Sequence, residues 1–569
     1  MLWGPELQPN GQVRFRLWAP DCDVLTLEIL GEDGERTIAM ESSPDGWFEA
    51  DADAPPGTRY RFRLKDGLAV PDPASRAQSG GVHGWSMIAD PDAYQWRCGG
   101  WTGRLWQEAV IMEVHAGLLG GFAGIVHHLD RWRDLGITAI ELMPIAALAG
   151  SRNWGYDGVL PYAVTESYGS PDDLKALVDR AHELGLMVLL DVVYNHFGPD
   201  GNYLGSYAGD FFDGHAATPW GGAVAVSRRP VRRFFIENAL MWLGDYRLDG
   251  LRFDAVHAIA DEGFLDEIAT EIRENFPDRK IHLVLENEAN DAERLRPGFF
   301  DAQWNDDFHN VLHVLLTGET EGYYEAFVED PTTKLARCLA EGFVYQGEDT
   351  GHGPRGKPSS HLPATAFVSF LQNHDQIGNR AMGDRLSQLC DPARLRAATA
   401  LLLLSPQIPM LFMGEETASR SPFLFFTDFH DELADAVRNG RRKEFAKFMA
   451  FSDAAVREHI PDPNARSTFD ASKPEPGPDA DDCRTFYGQL LTLRREQIVP
   501  RLKDAHALGC EVLGDGAVHA RWRMADGWIL TLALNIGDGK VTFPSHPEEP
   551  FFALGDAGAP ASFAAWLAP

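Results

Sequence analysis

Four apolar segments, each followed directly by carboxylate, amide or imidazole side chains, constrain the fold more than any other feature of this sequence. They occupy residues 187–196, 248–259, 281–287 and 367–375. Near-continuous apolar runs of this length are typical of strands buried on both faces in a parallel sheet. The carboxyl ends of parallel strands open on one face, so the polar residues that close the four segments are expected to converge there.

The segment 248–259 carries the clearest chemistry. Side chains two apart on a strand share a face, so Arg252 and Asp254 point to one side and Leu251 and Phe253 to the other. A buried Arg and Asp are costly unless they pair or take part in chemistry. One Arg-x-Asp alone would indicate a structural ion pair. Three more strands that end in the same way favour an active site.

The polar residues that close the other three segments are Asp191, Asn195 and His196, then Glu286, and finally Asn373, His374 and Asp375. The apolar run before Glu286 predicts a partly buried carboxyl with a raised pKa, as an acid catalyst requires. Glu288 lies two residues further on and would share the face of Glu286 only if the strand continued. It is therefore the second candidate for this role.

Strands and helices alternate through the middle of the chain. Val110–His115 and Ile137–Pro144 read as the first two strands, and the helical spacing from Phe122 to Gly136 lies between them. Asp172–Gly185 has the pattern of the next helix. This alternation predicts an α/β fold, a (β/α)8 TIM barrel over about 105–495.

The two ends of the chain differ from the middle. Short alternating strands between Pro and Gly turns predict an N-terminal β-sandwich over 1–95, and strand-like runs over 500–569 predict a small antiparallel C-terminal β domain. A Gly, Pro and aromatic-rich insert follows His196 over 197–228, and inserts of this kind are usually functional. Residues 465–482, rich in Pro, Asp and Ser, are predicted to form an exposed loop.

The composition of the chain limits the classes of ligand and the cellular compartment that we expect for it. A net charge of −33 over 569 residues disfavours nucleic acid and anionic membranes, and a neutral ligand such as a sugar is compatible with it. Six cysteines without paired spacing, no visible signal peptide and no apolar run of membrane length predict a cytoplasmic protein. No His-Glu-x-x-His motif, cysteine pair or EF-hand run is present, so neither a metal nor a cofactor is predicted.

The four segments, in this order, resemble the four signature regions of the α-amylase family of glycoside hydrolases and transglycosylases. The resemblance implies that Asp254 is the nucleophile, that Glu286 is the general acid and then base, and that Asp375 holds sugar hydroxyls. It also implies that the insert after His196 covers the cleft. The other roles that it implies are a cation beside the nucleophile for Arg252, hydroxyl contacts for His196 and His374, an aromatic platform for Tyr156, and support for Asp191 and Asn195.

Weaker signals are similar to one group within that family, the maltooligosyltrehalose trehalohydrolases. They are Gln303–His309, Leu316–Glu319 and Ser421–His430. The resemblance implies hydrolysis of the α-1,4 bond beside a terminal trehalose unit, with maltooligosyltrehalose or a related α-glucan as substrate and a synthase as pathway partner. The residues expected to bind beyond the cleaved bond are His257, Asp306, Asp307 and His309, together with the segment 423–430.

Two departures and two alternatives remain. Asn310 stands where a second His is expected, and the connection 116–121 after the first strand is short, so substrate contacts at both places are open. A glycogen branching or debranching enzyme, which acts on α-1,6 bonds, would share the same barrel. A catalytically inactive glucan-binding protein is a third interpretation, against which the complete set of signature carboxylates speaks.

Overall fold

A computed structural model describes residues 2–31, 34–218, 221–260, 262–350 and 353–569, without the side chains of 215–218 and 262. Its centre is a closed barrel of eight parallel strands, which confirms the predicted fold class. In chain order the strands are Ile111–Val114, Ala139–Leu142, Met187–Val192, Gly250–Phe253, His282–Leu285, Ala302–Trp304, Phe367–Ser369 and Ile408–Phe412.

The barrel interior is a packed core and not a channel. All six residues of Met187–Val192 are buried, as expected for a strand covered on both faces. Ile111, Leu189, Val284 and Met410 from different strands fill the interior below the site. The polar residues therefore stand on a rigid floor at the carboxyl ends of the strands.

Helices surround the barrel where helical spacing predicted them. The first begins and ends at Gly121–Leu135, and Gly136 closes it with a φ of 111° that suits glycine. The second, Pro171–Glu183, is capped by the Ser170 side chain, which accepts a hydrogen bond from the backbone N of Asp173. Further helices are Arg229–Gly244, Glu262–Asn275, Asp306–Thr317, Pro331–Glu341, Pro392–Leu404, Asp431–Glu444 and Ala480–Leu493.

Two antiparallel sheets precede the barrel. One contains Glu6–Leu7, Val13–Trp18, Glu41–Ser42 and Trp47–Ala52, and the other contains Leu25–Gly31, Gly34–Ala39, Arg59–Leu64, Ala69–Val70, Ala77–Ser79 and Trp85–Met87. Phe15 of the first sheet and Tyr60 of the second are in contact, with ring centroids 4.9 Å apart. Trp3 fixes this unit to the barrel, because its indole donates to Pro230 O at 3.0 Å.

A five-stranded antiparallel sheet follows the barrel. Its strands are His506–Gly514, Ala517–Arg523, Ile529–Asn535, Phe552–Leu554 and Ser562–Ala568. The backbone N of Gly516 donates to Thr332 Oγ1 at 2.8 Å, which joins the sheet to a barrel helix. The predicted C-terminal sheet is confirmed, and the domain limits at 95, 105, 495 and 500 stay predictions.

The insert at 197–228 and the predicted loop at 465–482 both contain regular structure. The insert at 197–228 holds the antiparallel strands Phe212–Thr218 and Gly221–Val224, and its residues 219–220 lie outside the described part of the chain. The prediction of an exposed loop at 465–482 is wrong for its first part, because Arg466–Ala471 is helical and Ser472 is buried, its hydroxyl accepting a hydrogen bond from the backbone N of Leu424. Residues 473–479 do form an irregular segment that is partly or fully exposed. None of the described helices has the length and apolar content needed to cross a membrane.

Candidate active site

The guanidinium of Arg252 lies at the centre of the carboxyl ends of the strands. It is fully buried, and its Nη1 donates to Asp191 Oδ2 at 2.7 Å and to Asp254 Oδ1 at 2.9 Å. Its Nη2 lies 3.4 Å from Glu286 Oε2. The guanidinium carbon stands 4.0 Å from the ring centroid of Trp304. A buried cation requires such partners, so Arg252 joins carboxyl groups from three strands into one cluster.

Neighbouring side chains hold the cluster in place. Asn195 Nδ2 donates to the backbone O of Asp254 at 2.9 Å and to its Oδ2 at 2.8 Å. The Tyr156 hydroxyl donates to Asp191 Oδ2 at 2.6 Å, and its ring stacks on His374 with centroids 5.0 Å apart. One carboxylate oxygen of Asp254 is therefore bound by Arg252 and the other by Asn195, which fixes the rotation of this side chain.

Glu286 follows the fifth strand and faces Asp254 across the guanidinium. Its Oε2 accepts a hydrogen bond from the backbone N of Ala255 at 2.5 Å, and Ala255 has a φ of 40°, in the left-handed region. Burial raises the pKa of Glu286 to about 8, although the charge of Arg252 opposes this. The side chain is 18% exposed, whereas that of Glu288 is 75% exposed. Glu286 is therefore the better placed of the two for proton transfer at neutral pH.

His374 and Asp375 begin a short helix after the seventh strand. His374 Nε2 lies 3.4 Å from Asp375 Oδ2. Burial disfavours the charged ring, but Asp375 and Glu113 outweigh it and raise the pKa of His374 well above its ordinary value. Burial would also raise the pKa of Asp375, but the charge of His374 lowers it. Asp375 therefore presents an ionised carboxylate.

A cavity of about 1150 Å³ opens above these groups. The segments that follow the barrel strands supply its lining. Its lining includes His257, Glu286, Asp306, Asn310, Tyr323 and Asp375. A concave site of this size, with convergent polar groups and shifted pKa values, has the features of a ligand site.

Two of the residues expected to bind beyond the cleaved bond do line the cavity. His257 lies in the turn Val256–Ala258 after the fourth strand. Asp306 begins the helix after the sixth strand, and Gln376 Nε2 donates to its Oδ1 at 3.2 Å. Burial and the neighbouring Asp375 raise the pKa of Asp306 to about 7.

The prediction that Asp307 and His309 face the ligand is wrong. Asp307 is buried, and its carboxylate accepts hydrogen bonds from Asn290 Nδ2 and Arg355 Nη2, both at 3.0 Å, and from the backbone N of Val344 at 2.8 Å. His309 is also buried, with Nδ1 against Leu371 O, and burial lowers its pKa to about 3. Both side chains support the wall from behind.

Protein atoms engage both ring nitrogens of His196. Its Nε2 lies 2.9 Å from the backbone O of Tyr156, and its Nδ1 is bonded to Asn195 Oδ1. Burial lowers the pKa of His196. A sugar hydroxyl would have to replace one of these partners, so His196 acts in this arrangement as a brace for Asn195.

The segment 423–430 does not line the cavity. Phe423 and Phe426 are fully buried, and Trp154 stacks on Phe423 with centroids 5.2 Å apart. The indole of Trp154 donates to Leu424 O at 2.9 Å. Most of this segment is therefore a buried loop beside the eighth strand, whereas Phe425 is half-buried and His430 is exposed. Contact between the segment and the ligand stays a prediction.

Three cavity residues carried little or no signal in the sequence. Asn310, noted there as a departure, lies one helical turn after Asp306 and shares its face. Tyr323 belongs to the short 3-10 helix Gly322–Phe327. The pair of adjacent tyrosines, Tyr323 and Tyr324, was the one sequence feature that could have indicated a sugar contact there. Arg380 donates two hydrogen bonds, of 2.6 and 2.8 Å, to the carboxylate of Glu319. The two residues are 61 positions apart, so no local spacing in the sequence predicts this pair.

Comparison with known proteins agrees with this geometry. Residues 73–209 match the family described as alpha amylase, catalytic domain, and residues 505–567 match a domain of unknown function, DUF3459. A crystal structure of a Salmonella typhimurium protein, provisionally assigned as an alpha amylase, superposes with a TM-score of 0.93 at 45% identity, covering 100% of this chain and 99% of that one. The barrel and its carboxyl cluster thus define a glycoside hydrolase of the α-amylase class.

Comparison with relatives of similar sequence assigns the chain to one family within this class. The chain is 42% identical over 511 residues to malto-oligosyltrehalose trehalohydrolase from Deinococcus radiodurans, covering 86% of this chain and 82% of the relative. It is 40% identical over 514 residues to the Saccharolobus solfataricus enzyme of the same name, covering 87% of each. The chain belongs to the malto-oligosyltrehalose trehalohydrolase family. A branching enzyme from Gloeobacter violaceus is 34% identical over 284 residues, which is 43% of this chain.

Proposed function

We propose that this protein hydrolyses the α-1,4 bond beside the terminal trehalose unit of maltooligosyltrehalose and releases trehalose and a maltooligosaccharide. One observation carries the hydrolytic part: Arg252 contacts both Asp254 and Glu286, at 2.9 and 3.4 Å, below a cavity large enough for a sugar chain. Membership of the trehalohydrolase family supports the choice of bond.

In the first step Asp254 attacks the anomeric carbon. Its carboxylate is oriented by Arg252 on one oxygen and by Asn195 on the other. Glu286 is protonated at neutral pH, because burial raises its pKa to about 8, and it gives this proton to the departing glycosidic oxygen. The product is a covalent glycosyl-enzyme with trehalose as leaving group.

In the second step water replaces Asp254. Glu286, now ionised, accepts a proton from the water, which attacks the anomeric carbon from the face that trehalose left. The configuration at that carbon is therefore retained. Asp375, kept ionised by His374, accepts hydrogen bonds from hydroxyls of the reacting sugar, and Tyr156 supplies an aromatic surface beneath it.

Selection of trehalose requires contacts beyond the cleaved bond. Asp254 and Glu286 act at the bond itself and cannot distinguish trehalose from maltose. We assign this role to His257, Asp306 and Asn310, which line the cavity beside the acid. A site that hydrogen-bonds one ligand discriminates against another that leaves its polar groups unpaired.

We also propose a place for the protein in a reaction sequence. Its substrate must be supplied by an enzyme that converts the reducing end of an α-glucan into a trehalose linkage, so a maltooligosyltrehalose synthase is the expected pathway partner. The described cysteines are all free thiols, which supports a reducing, cytoplasmic location.

Product analysis tests the proposal. Maltooligosyltrehalose and a plain maltooligosaccharide of equal length are incubated with the protein, and products are separated chromatographically. If the site forms hydrogen bonds to the second ring of trehalose, trehalose should be the main small product, and kcat/KM should be about a hundredfold higher than for the plain chain. Equal rates on the two chains, or new α-1,6 linkages in amylose, would instead support a debranching or branching enzyme.

A further inference from the structure

We propose that Glu113 is a positioning residue, which holds His374 as a doubly donating imidazolium against Asp375. The inference rests on the proposed hydrolytic function and concerns a residue on the first barrel strand, outside the four signature segments. Glu113 is buried and lies 261 residues before His374 in the sequence. Glu113 is not among the residues that line the cavity.

Glu113 binds both the ring and the backbone of His374. Its Oε1 lies 2.5 Å from His374 Nδ1, and its Oε2 accepts a hydrogen bond from the backbone N of the same residue at 3.1 Å. This two-point contact fixes the backbone at the start of the short helix and the rotation of the ring together. Three aromatic rings surround the imidazole: Tyr156 is stacked on it with centroids 5.0 Å apart, and Trp154 and Trp304 lie at 5.6 and 6.0 Å.

With Nδ1 fixed on Glu113, Nε2 must point to Asp375, whose Oδ2 lies 3.4 Å away. Each ring nitrogen then faces a carboxylate oxygen. A neutral imidazole has one donor and one acceptor and would place its lone pair against a carboxylate, whereas the imidazolium donates from both nitrogens. The geometry therefore selects the charged ring.

The other titratable groups that face the ring do not compete for this role. They are His115 on the first strand, Glu141 on the second and Tyr156 in the loop after it. Burial lowers the pKa of His115 to about 4, and burial together with Glu113 raises the pKa of Glu141 well above its ordinary value. Both are therefore uncharged at neutral pH, and Glu113 and Asp375 supply the counter-charges.

Glu141 provides a matched control. It pairs in register with Glu113 on the neighbouring strand and is equally buried, but neither of its carboxyl oxygens has a hydrogen-bond partner among the described residues. Glu141→Gln replaces one neutral group by another of the same shape. Glu113→Gln keeps the shape and an acceptor for Nδ1 but removes the charge that favours the imidazolium.

The pH dependence of kcat separates these variants. For Glu113→Gln we expect kcat at the optimum to fall about ten- to a hundredfold, the range for one hydrogen bond to a charged group. The profile should also narrow, because His374 loses its proton at lower pH and Asp375 gains one at higher pH. Glu141→Gln should keep the wild-type profile. A Glu113→Gln profile that superimposes on that of wild type, or a Glu141→Gln profile that narrows equally, would overturn the proposal.

A double-mutant cycle tests whether Glu113 acts through the histidine. In a His374→Asn background, Glu113→Gln should reduce kcat by less than twofold, since the group it positions is gone. Additive losses would mean that Glu113 acts by another route.

A measurement on the wild-type protein needs neither substrate nor a stable Glu113 variant. In protein labelled with 15N-histidine, the resonances of His374 are assigned by their absence in His374→Asn. Both ring nitrogens are expected at imidazolium shifts at pH 8, and a neutral tautomer there would refute the inference. If the ring is charged but the protein does not release trehalose, the proposed function fails and the inference about His374 stands.

Discussion

A single guanidinium serves two carboxyl groups that need opposite protonation states. Arg252 contacts Asp254 and Glu286, yet Asp254 has a second donor in Asn195 Nδ2, whereas Glu286 depends on one backbone N–H. Hydrogen bonds to an ionised carboxylate stabilise it, and burial destabilises it. The environment of each side chain, rather than its chemical type, therefore separates the nucleophile from the acid.

Replacement of the nucleophile should abolish turnover without unfolding the protein. Asp254→Asn keeps the size of a side chain that is 12% exposed, so no cavity forms and Tm should change little. The loss in kcat should be about four orders of magnitude or more, as for other residues that act as one unit. Glu288→Gln, beside the cavity but 75% exposed, is the control and should retain activity. Near-normal turnover by Asp254→Asn would reject the assignment.

The pKa of Glu286 sets the alkaline limit of activity. The acid must be protonated, and its folded pKa of about 8 lies above the ordinary 4.5, so kcat/KM should fall as pH rises through about 8. The same shift destabilises the fold increasingly as pH rises from 4.5 to about 8, because over this range only the unfolded state ionises. Glu286→Gln should therefore have a higher Tm than wild type at pH 8 but not at pH 4. A wild-type rate that is level to pH 9.5 would contradict this.

At the scale of elements, the strand ends could be predicted from sequence and the wall of the cavity could not. Asp254 and Glu286 directly follow the strands Gly250–Phe253 and His282–Leu285, and the two-residue period alone places Arg252 on the face of Asp254. A helix begins at Asp306, and its period of 3.6 residues turns Asp307 and His309 away from the cavity while Asn310 returns to it. The pair Arg380–Glu319 in the same wall spans 61 residues, and a long-range contact of this kind leaves no local pattern.

The short 3-10 helix Gly322–Phe327 should contribute to substrate binding more than to stability. Tyr323 is 68% exposed and lines the cavity, so Tyr323→Ala removes contact area for a sugar and leaves the core intact. We expect KM for maltooligosyltrehalose to rise by up to roughly tenfold, because the variant loses one aromatic contact of about 0.5–1.5 kcal/mol. Tm should be unchanged. Val512→Ala, at a residue that is 45% exposed on the C-terminal sheet, should leave KM as in wild type. An unchanged KM in Tyr323→Ala would place the sugar elsewhere.

Across the whole molecule, the net charge of −33 acts against the compact state. Many ion pairs are exposed, as Lys65 and Asp23 are at 72% and 85%, and such pairs contribute about 0–1 kcal/mol each. General repulsion among the excess carboxylates extends further than these local attractions, and salt screens it first.

Moderate salt should therefore stabilise the protein. Tm measured by calorimetry at pH 7 is expected to rise between about 0.02 and 0.5 M NaCl, over which the Debye length falls from roughly 20 to 4 Å. KCl at equal ionic strength should give the same increase, since screening does not depend on the identity of the cation. A Tm that falls with salt would mean that the surface ion pairs outweigh the repulsion.

Closure of the barrel places Ile111 in register with Met410, so the first strand has no partner on that side until the last has been synthesised. At about 5–20 residues per second, a ribosome needs roughly 15–60 s to make the intervening chain. The N-terminal sheets are complete before this interval begins and can fold ahead of the barrel. During this interval Glu113 has no contact with His374, which has not yet been synthesised. The apolar faces of the strands are then accessible to chaperones and to neighbouring nascent chains. We therefore expect the yield of this enzyme to depend on how long its unfinished barrel is kept from aggregation.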